Sequence, residues 1–375
     1  MSAARAFLPG GRVGDGLDRL AALRARIANG FEAAGAVRVE PEALQPAELL
    51  LDLYGEDVRA RAYVVQDPVE GEKMLRPDFT VPVARVHMQD GRDPARYAYE
   101  GLVWRRQEPG STRPTEYLQA GIELIGGADP AADDAEVFAL IEDAVGGSAA
   151  RVATGDLGVV FAAIAALKTT EGRRAALRRH VWRPKRFQAL LDRFAAPPAP
   201  SAERARLLAM EDARRAEAVA AGAKFVGARG PGDVAARLAA LAEDAAAPPL
   251  AAEEKARLEA VLAVSGPSPA ALDRLRALDD GAMTPAVERM ARRLDALAAR
   301  GVDAGALPFD AAFGRSLEYY DGFVFEFRAA DPALPPLGGG GRYDALTAAL
   351  SADAGSAAVG GIVRPEALLA AEGAC

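Results

Sequence analysis

Apolar positions in the N-terminal third recur with two periods. In DGLDRLAALRARIANGF, Leu17, Leu20, Leu23, Ile27 and Phe31 fall three or four residues apart and mark one stripe of a helix. Asp15 stands where an N-cap oxygen would serve the first free amides. AGAVRVEPEAL then reads as a short strand stopped by Pro41, whose missing N–H places it at a strand end or an exposed edge. Between Ala62 and Gly126, AYVVQD, RYAYEGLVW and TEYLQAGIELIG carry alternating or continuous apolar character, which predicts strands of an antiparallel sheet. DDAEVFALIEDAV returns to helical spacing.

From about Ala162 to Arg300, Ala, Leu and Arg dominate and strand signals thin out. Ser268-Pro269 and Thr284-Pro285 read as helix starts, a capping oxygen followed by proline at the first helical position. Val287, Met290, Leu294 and Leu297 share one face of the last helix, and Gly301 closes it. Strand signals return in PFDAAF and YYDGFVFEF, followed by GGGGRYDAL and AAVGGIVRPEALLAA. The order predicts an α+β core over residues 1–160 and 301–375, interrupted by a mostly helical insertion over 161–300.

Composition narrows the chemistry. The 375 residues are 50% hydrophobic and 26% charged, ample for such a core. A formal charge of -8 argues against a surface devoted to nucleic acid. One cysteine, Cys375, and two histidines, His87 and His180, supply neither a disulfide framework nor a metal cluster nor a histidine relay. No metal and no cofactor are therefore expected, and His87 is read as structural. The start, MSAARAFLPGGRVGDG, lacks the apolar run of a signal peptide, and no stretch is apolar enough for a membrane span. The expectation is a cytoplasmic chain with no membrane partner.

Four clusters could carry chemistry. In LRPDFTVPVARV, Asp78 and Thr80 share a face if extended and could hold an ammonium, or they belong to a salt-bridged turn after Pro77. In QAGIELIG, Gln119, Gly121 and Glu123 share one face of a strand, and Gly121 would leave open floor between two polar walls. Such a pair could read an ammonium and a ring nitrogen, or form a solvated sheet face. Arg105, before the loop, could meet a carboxylate or phosphate. In GRSLEYYDGFVFEF, Arg315, Glu318, Tyr319 and Tyr320 gather at a strand entrance. Adjacent tyrosines point opposite ways in a strand, so at most one would face a pocket, and core packing explains them equally well. GGGGRYDAL lacks both P-loop and dinucleotide-binding spacing and reads best as a flexible turn. The basic run from Arg173 to Arg186 is either a solvated helix face or a surface for an anionic partner.

Taken in order, LRPDFT, the arginine loop with QAGIELIG, RSLEYY and GGGGRYDAL resemble the histidyl-tRNA synthetase family, over roughly residues 5–160 and 300–375. The resemblance implies a class II aminoacyl-tRNA synthetase-like antiparallel sheet flanked by helices, with a histidine pocket. Asp78, Thr80 and Gln119 would hold the α-ammonium. Glu123 and one tyrosine of the Tyr319–Tyr320 pair would read the imidazole. Arg105 and Arg315 would face the carboxylate, or a phosphate if ATP bound. Pro41 would correspond to the proline of the family's dimer-forming motif, implying a homodimer.

The departures from that family point to one branch of it. Only Tyr343 to Cys375 follows GGGGR, so no C-terminal anticodon-binding domain is expected. The arginine that clamps ATP in the synthetases falls on Ala367, beside Glu366, with Arg364 three residues earlier. Loss of such a charge-stabilising donor typically costs about 3–4 kcal/mol of transition-state stabilisation. Phe79 stands where the synthetases tend to have glycine, which would narrow access. A histidine pocket without these parts is similar to the regulatory subunits of ATP phosphoribosyltransferase in histidine biosynthesis. That likeness implies a non-catalytic subunit that binds L-histidine. It would assemble with a short-form ATP phosphoribosyltransferase catalytic subunit, which joins PRPP to ATP and is feedback-inhibited by histidine. A truncated synthetase-like enzyme that still adenylates histidine is the alternative. A third reading, an RNA-binding module, rests on the basic run alone, and tRNA is not otherwise expected as a partner.

Overall fold

The computed structural model describes residues 14–47, 60–108, 110–111, 113–146, 151–211, 214, 217, 230–314, 319–351 and 355–373. Arg315, Glu318 and Cys375 lie outside the described residues. The N-terminal stripe forms α1 (Asp15–Ala33), which buries Leu20, Leu23, Ile27 and Phe31. Leu17 is the exception: it lies on the first turn and stays 46% exposed. Gly14, not Asp15, occupies the cap position, and no side chain caps the helix.

Strand β1 (Val37–Arg38) ends before Pro41. Pro41 is buried rather than exposed, and its carbonyl accepts from the Arg76 guanidinium. Next come β2 (Leu44–Pro46), β3 (Val64–Asp67) and β4 (Gly71–Leu75), which form a separate antiparallel sheet in the order β2-β4-β3. AYVVQD therefore belongs to this small sheet, not to the main one. Helix α2 (Thr80–Asp90) leads into β5 (Ala95–Trp104) and β6 (Glu116–Ile125), a long hairpin. Helix α3 (Pro130–Val145) follows, capped by the Asp129 carboxylate, and then β7 (Arg151–Asp156).

The next stretch is helical: α4 (Leu157–Ala165), α5 (Glu171–His180), α6 (Pro184–Ala195), α7 (Ala202–Leu208), α8 (Pro231–Ala246) and α9 (Ala252–Leu262). A three-residue β8 (Ser265–Pro267) precedes α10 (Ser268–Leu278) and α11 (Thr284–Ala299). The two hydroxyls expected as caps act otherwise. Ser268 Oγ donates to the Leu307 carbonyl at 2.8 Å, and Thr284 Oγ1 donates to Asp279 at 2.5 Å. Proline at the first helical turn is present in both helices.

The chain closes with β9 (Pro308–Asp310), β10 (Phe323–Arg328), β11 (Gly338–Arg342), α12 (Asp344–Leu350), β12 (Ala358–Val363) and α13 (Pro365–Ala371). The main sheet has nine strands in the order β1-β5-β6-β12-β11-β10-β7-β9-β8. Its pairs are antiparallel except β1 with β5 and β7 with β9. The glycine run is not a turn. It is β11, wholly buried mid-sheet between β10 and β12. Gly340 and Gly341 pair with Gly361 and Gly360 of β12, and a Cβ on Gly340 would strike the Gly360 carbonyl and sit 2.7 Å from the Gly361 Cα.

Helices α1, α3, α11 and α13 contribute to the hydrophobic cluster on one side of this sheet, which contains Ile27, Phe138, Leu297, Phe325 and Leu368. A second cluster unites the helical stretch around Leu177, Leu191, Val261, Leu275 and Met290, and reaches Phe309 of β9. Two smaller clusters gather Met74, Val81, Phe79, Tyr99, Tyr320 and Tyr343 around α2 and α12. These frame the candidate site. Among the described residues no helix is long and apolar enough to cross a membrane.

Candidate functional site

The pleat of β6 sends Gln119, Gly121 and Glu123 to one face. Pairing with β5 sets Tyr99 opposite Gly121, and pairing with β12 sets Gly360 beside Glu123. Both glycines are sterically required. A Cβ at Gly121 would lie 2.5 Å from the Tyr99 hydroxyl, and one at Gly360 would collide with the Glu123 carboxylate. Gly121 therefore leaves no open floor, because the Tyr99 phenol crosses it.

Three hydroxyls converge on Glu123, which is fully buried. Thr80 Oγ1 and the Tyr99 hydroxyl donate to Oε1, each at 2.8 Å. The Tyr343 hydroxyl donates to Oε2 at 2.6 Å. Burial raises the carboxyl to about 7, against the opposing pull of the three hydroxyls. The two phenols are in turn pushed well above their ordinary value, by burial first and by the nearby carboxylate second. Phe79 does not face the cleft. It is fully buried, stacks on Tyr99 with centroids 4.5 Å apart and carries the Arg76 guanidinium on its ring, so it backs Tyr99 from behind.

Asp78 and Thr80 are not on an extended segment. Thr80 opens α2 and Asp78 sits in the turn before it, both buried. Arg105 is anchored to that same turn: its Nε donates to the Pro77 carbonyl at 2.8 Å and a terminal nitrogen lies 3.9 Å from Asp78 Oδ2. Gln119 is 4% exposed, and its Oε1 is buried with no hydrogen-bond partner among the described residues. The structure thus brings Asp78, Thr80, Arg105, Gln119 and Glu123 to the edge of one face of β6.

Tyr319 and Tyr320 lie in a turn ahead of β10, not within a strand. The alternation rule therefore does not apply, and both rings line one cavity, tilted with centroids 4.7 Å apart. The phenol that donates to Glu123 Oε2 comes from Tyr343, not from this pair. The Tyr319 ring sits 6.0 Å from that of Tyr343, edge to face. The cavity measures about 410 Å³ and is walled by Tyr319, Tyr320, Phe161 and Trp182, with Arg178 and Arg179. Asp321 also lines it, held up to about 6 by burial while accepting from the Asp344 and Ala345 amides of α12.

The basic run is divided by the fold. Arg173 is buried and holds the end of α8 through the Asp244 carboxylate and the Asp244 and Pro248 carbonyls. Arg174 and Arg178 pair with Glu171. His87, buried between Tyr97 at 3.0 Å and Asp93 at 2.9 Å, ties α2 to the loop before β5. Tyr99 and Tyr343, which hold the Glu123 carboxylate, are the residues of the candidate site that sequence reasoning missed. The signal for Tyr343 stood in the text as the tyrosine of GGGGRYDAL, and that for Tyr99 needed the β5–β6 register.

Residues 15–248 and 235–368 match the histidyl-tRNA synthetase family. An ATP phosphoribosyltransferase regulatory subunit from Mesorhizobium japonicum is 36% identical over 359 residues, covering 91% of this chain and 95% of that one. One from Sinorhizobium medicae is 36% identical over 351 residues, covering 88% and 92%. A solved Bacillus halodurans structure, described as an ATP phosphoribosyltransferase regulatory subunit/histidyl-tRNA synthetase, aligns with a TM-score of 0.70 over 99% of this chain and 83% of its own, at 23% identity. A histidine–tRNA ligase subunit from Alicyclobacillus acidocaldarius aligns with a TM-score of 0.59 at 26% identity, covering 98% and 97%. The nine-stranded sheet with its flanking helices is thus the histidyl-tRNA synthetase-like, class II synthetase fold.

Proposed function

The chain belongs to the family of ATP phosphoribosyltransferase regulatory subunits, and on that premise we propose that it is a non-catalytic subunit that binds free L-histidine and controls a short catalytic partner. The observation that carries the ligand is a pair of unfilled acceptor positions on β6. A carboxylate offers about four lone-pair sites. Glu123 uses two on Oε1 and one on Oε2, so Oε2 has one left for a ring N–H. The Gln119 oxygen, buried with no donor among the described residues, suits an ammonium. An unmet buried acceptor costs about 1–3 kcal/mol, and a ligand N–H would remove that cost. Asp78 adds negative charge beside the same position.

Regulation would follow if histidine binds one arrangement of the complex more tightly than another. A coupling of about 1–3 kcal/mol changes the partner's behaviour about 5–150-fold. A second copy of this chain is the proposed cover for the small sheet and the β1 edge, where Val37, Val64, Val65 and Val69 stand exposed. The catalytic step belongs to the partner. Here the position of the ATP clamp is Ala367, and the nearby Arg364 donates to the Pro336 carbonyl.

The decisive experiment is co-purification with a short phosphoribosyltransferase, its rate measured with and without this chain and with added histidine. Calorimetry on the chain alone should show histidine binding that Glu123→Ala abolishes. Absence of heat at millimolar histidine, or an unaltered partner rate, would overturn the proposal. Adenylation of histidine is the competing activity, favoured by the histidine–tRNA ligase likeness. Pyrophosphate exchange with histidine and ATP should be silent, and clear exchange would decide for the enzyme.

A further inference from the structure

We propose that the cavity between the helical stretch and α12 is a second ligand site, for a mononucleotide. Its volume of about 410 Å³ lies in the range of small-molecule sites. Its walls come from two parts of the fold. Phe161, Arg178, Arg179 and Trp182 belong to α4, α5 and the turn after it, whereas Tyr319, Tyr320 and Leu346 belong to the turn before β10 and to α12.

The chemistry of the walls selects the ligand class. Four aromatic rings offer faces and edges to a planar group. Two guanidiniums at the end of α5 present planar donor forks of the kind that bind phosphate. Arg178 is paired with Glu171, but Arg179 is exposed and makes no ion pair among the described residues. Asp321, also in the lining, is anchored by the Asp344 and Ala345 amides, one on each oxygen, so it belongs to the wall at α12, away from the exposed Arg179 guanidinium that would take the phosphate. Neither Glu123 nor Gln119 lines this cavity, so the two sites need not share an occupant. A planar base against Trp182 and Tyr319, with its phosphate at Arg179, uses both the aromatic and the cationic walls. Such a ligand would touch the helical stretch on one side and the turn before β10 with α12 on the other.

The test uses the full chain carrying Trp104→Phe, which leaves Trp182 as the only tryptophan. Titration with AMP should quench the emission saturably, and Arg179→Ala should weaken binding about tenfold, as expected for loss of one charge-assisted contact. Ribose 5-phosphate, which lacks the base, should bind more weakly than AMP. Glu123→Gln should leave the AMP curve unchanged even if it abolishes histidine binding, so this site can fail or stand apart from the histidine site. No saturable quenching up to about 10 mM AMP, an unchanged curve with Arg179→Ala, or competition by histidine at equal strength would overturn the proposal.

Discussion

Glu123 shows how a single side chain can set a pH dependence. Its carboxyl is raised from 4.5 to about 7 by burial. The folded protein therefore holds a proton that the unfolded chain releases, so this group's contribution to stability is fully present at low pH and is lost as pH rises through the folded value. Asp321, raised to about 6, titrates at the lower end of the same range in both variants and so cancels in the comparison. From about pH 6 to about pH 8 the wild-type chain should lose about 1.4 kcal/mol more than Glu123→Gln does, measured by denaturant unfolding at both ends. Equal losses would place the titration elsewhere. At this scale Thr80, Gln119 and Glu123 were legible because each lies in a short, ordered motif. Tyr99 was not, because its role depends on which residue it faces across the hairpin. The Tyr319–Tyr320 pair misled because the two-residue alternation holds only inside a strand, and these residues precede one.

Elements made of small residues are the hardest to read. Strand β11 begins with four glycines and has no apolar alternation to reveal it, although it sits at the centre of the main sheet. Its purpose is close approach. Gly340 lies against the β12 backbone and 2.8 Å (from a would-be Cβ) from the Phe325 ring. Because the Gly360 carbonyl and Gly361 Cα are backbone, they cannot swing aside. Gly340→Ala should cost about 1–3 kcal/mol or more, as overpacking does, and thermal melting would report it. Gly30, inside α1, is the opposite case: a Cβ there meets nothing within 4 Å. Gly30→Ala should raise stability by about 0.5–1 kcal/mol through helix propensity. A loss at Gly30 or none at Gly340 would contradict these packing assignments. The long helices were visible from their 3.6-residue stripes, but Ser268 bonds the distant Leu307 carbonyl, a tertiary choice that local sequence does not encode, and Thr284 bonds Asp279 in the loop just before its helix.

Across the whole molecule, the shift to Ala, Leu and Arg after Ala162 disclosed where helices dominate but not what ties them to the sheet. The tie is a buried chain of charges. Arg293 of α11 donates to Asp134 of α3 at 3.3 Å and to Asp156 at the end of β7 at 2.7 Å, with its guanidinium over the Phe323 ring. Arg342 of β11 donates to Asp134 at 2.8 Å and to Asp344 at 2.9 Å. Asp344 begins α12, whose next amide is held by Asp321 in the proposed nucleotide cavity. A continuous set of contacts therefore runs from that cavity to the helical stretch. Sequence concealed it because Arg293 shares the buried face of Val287, Met290 and Leu297, where an apolar residue would be expected. Removing one partner of a buried charge network strands the others, typically at about 3–5 kcal/mol. Arg293→Met should show that loss in equilibrium unfolding, because Asp134 and Asp156 remain buried with one fewer cation. Adding Asp134→Asn should restore part of it, making the double variant less destabilised than the sum of the singles. Strict additivity would mean that Arg293 acts by packing on Phe323 rather than by joining the two carboxylates.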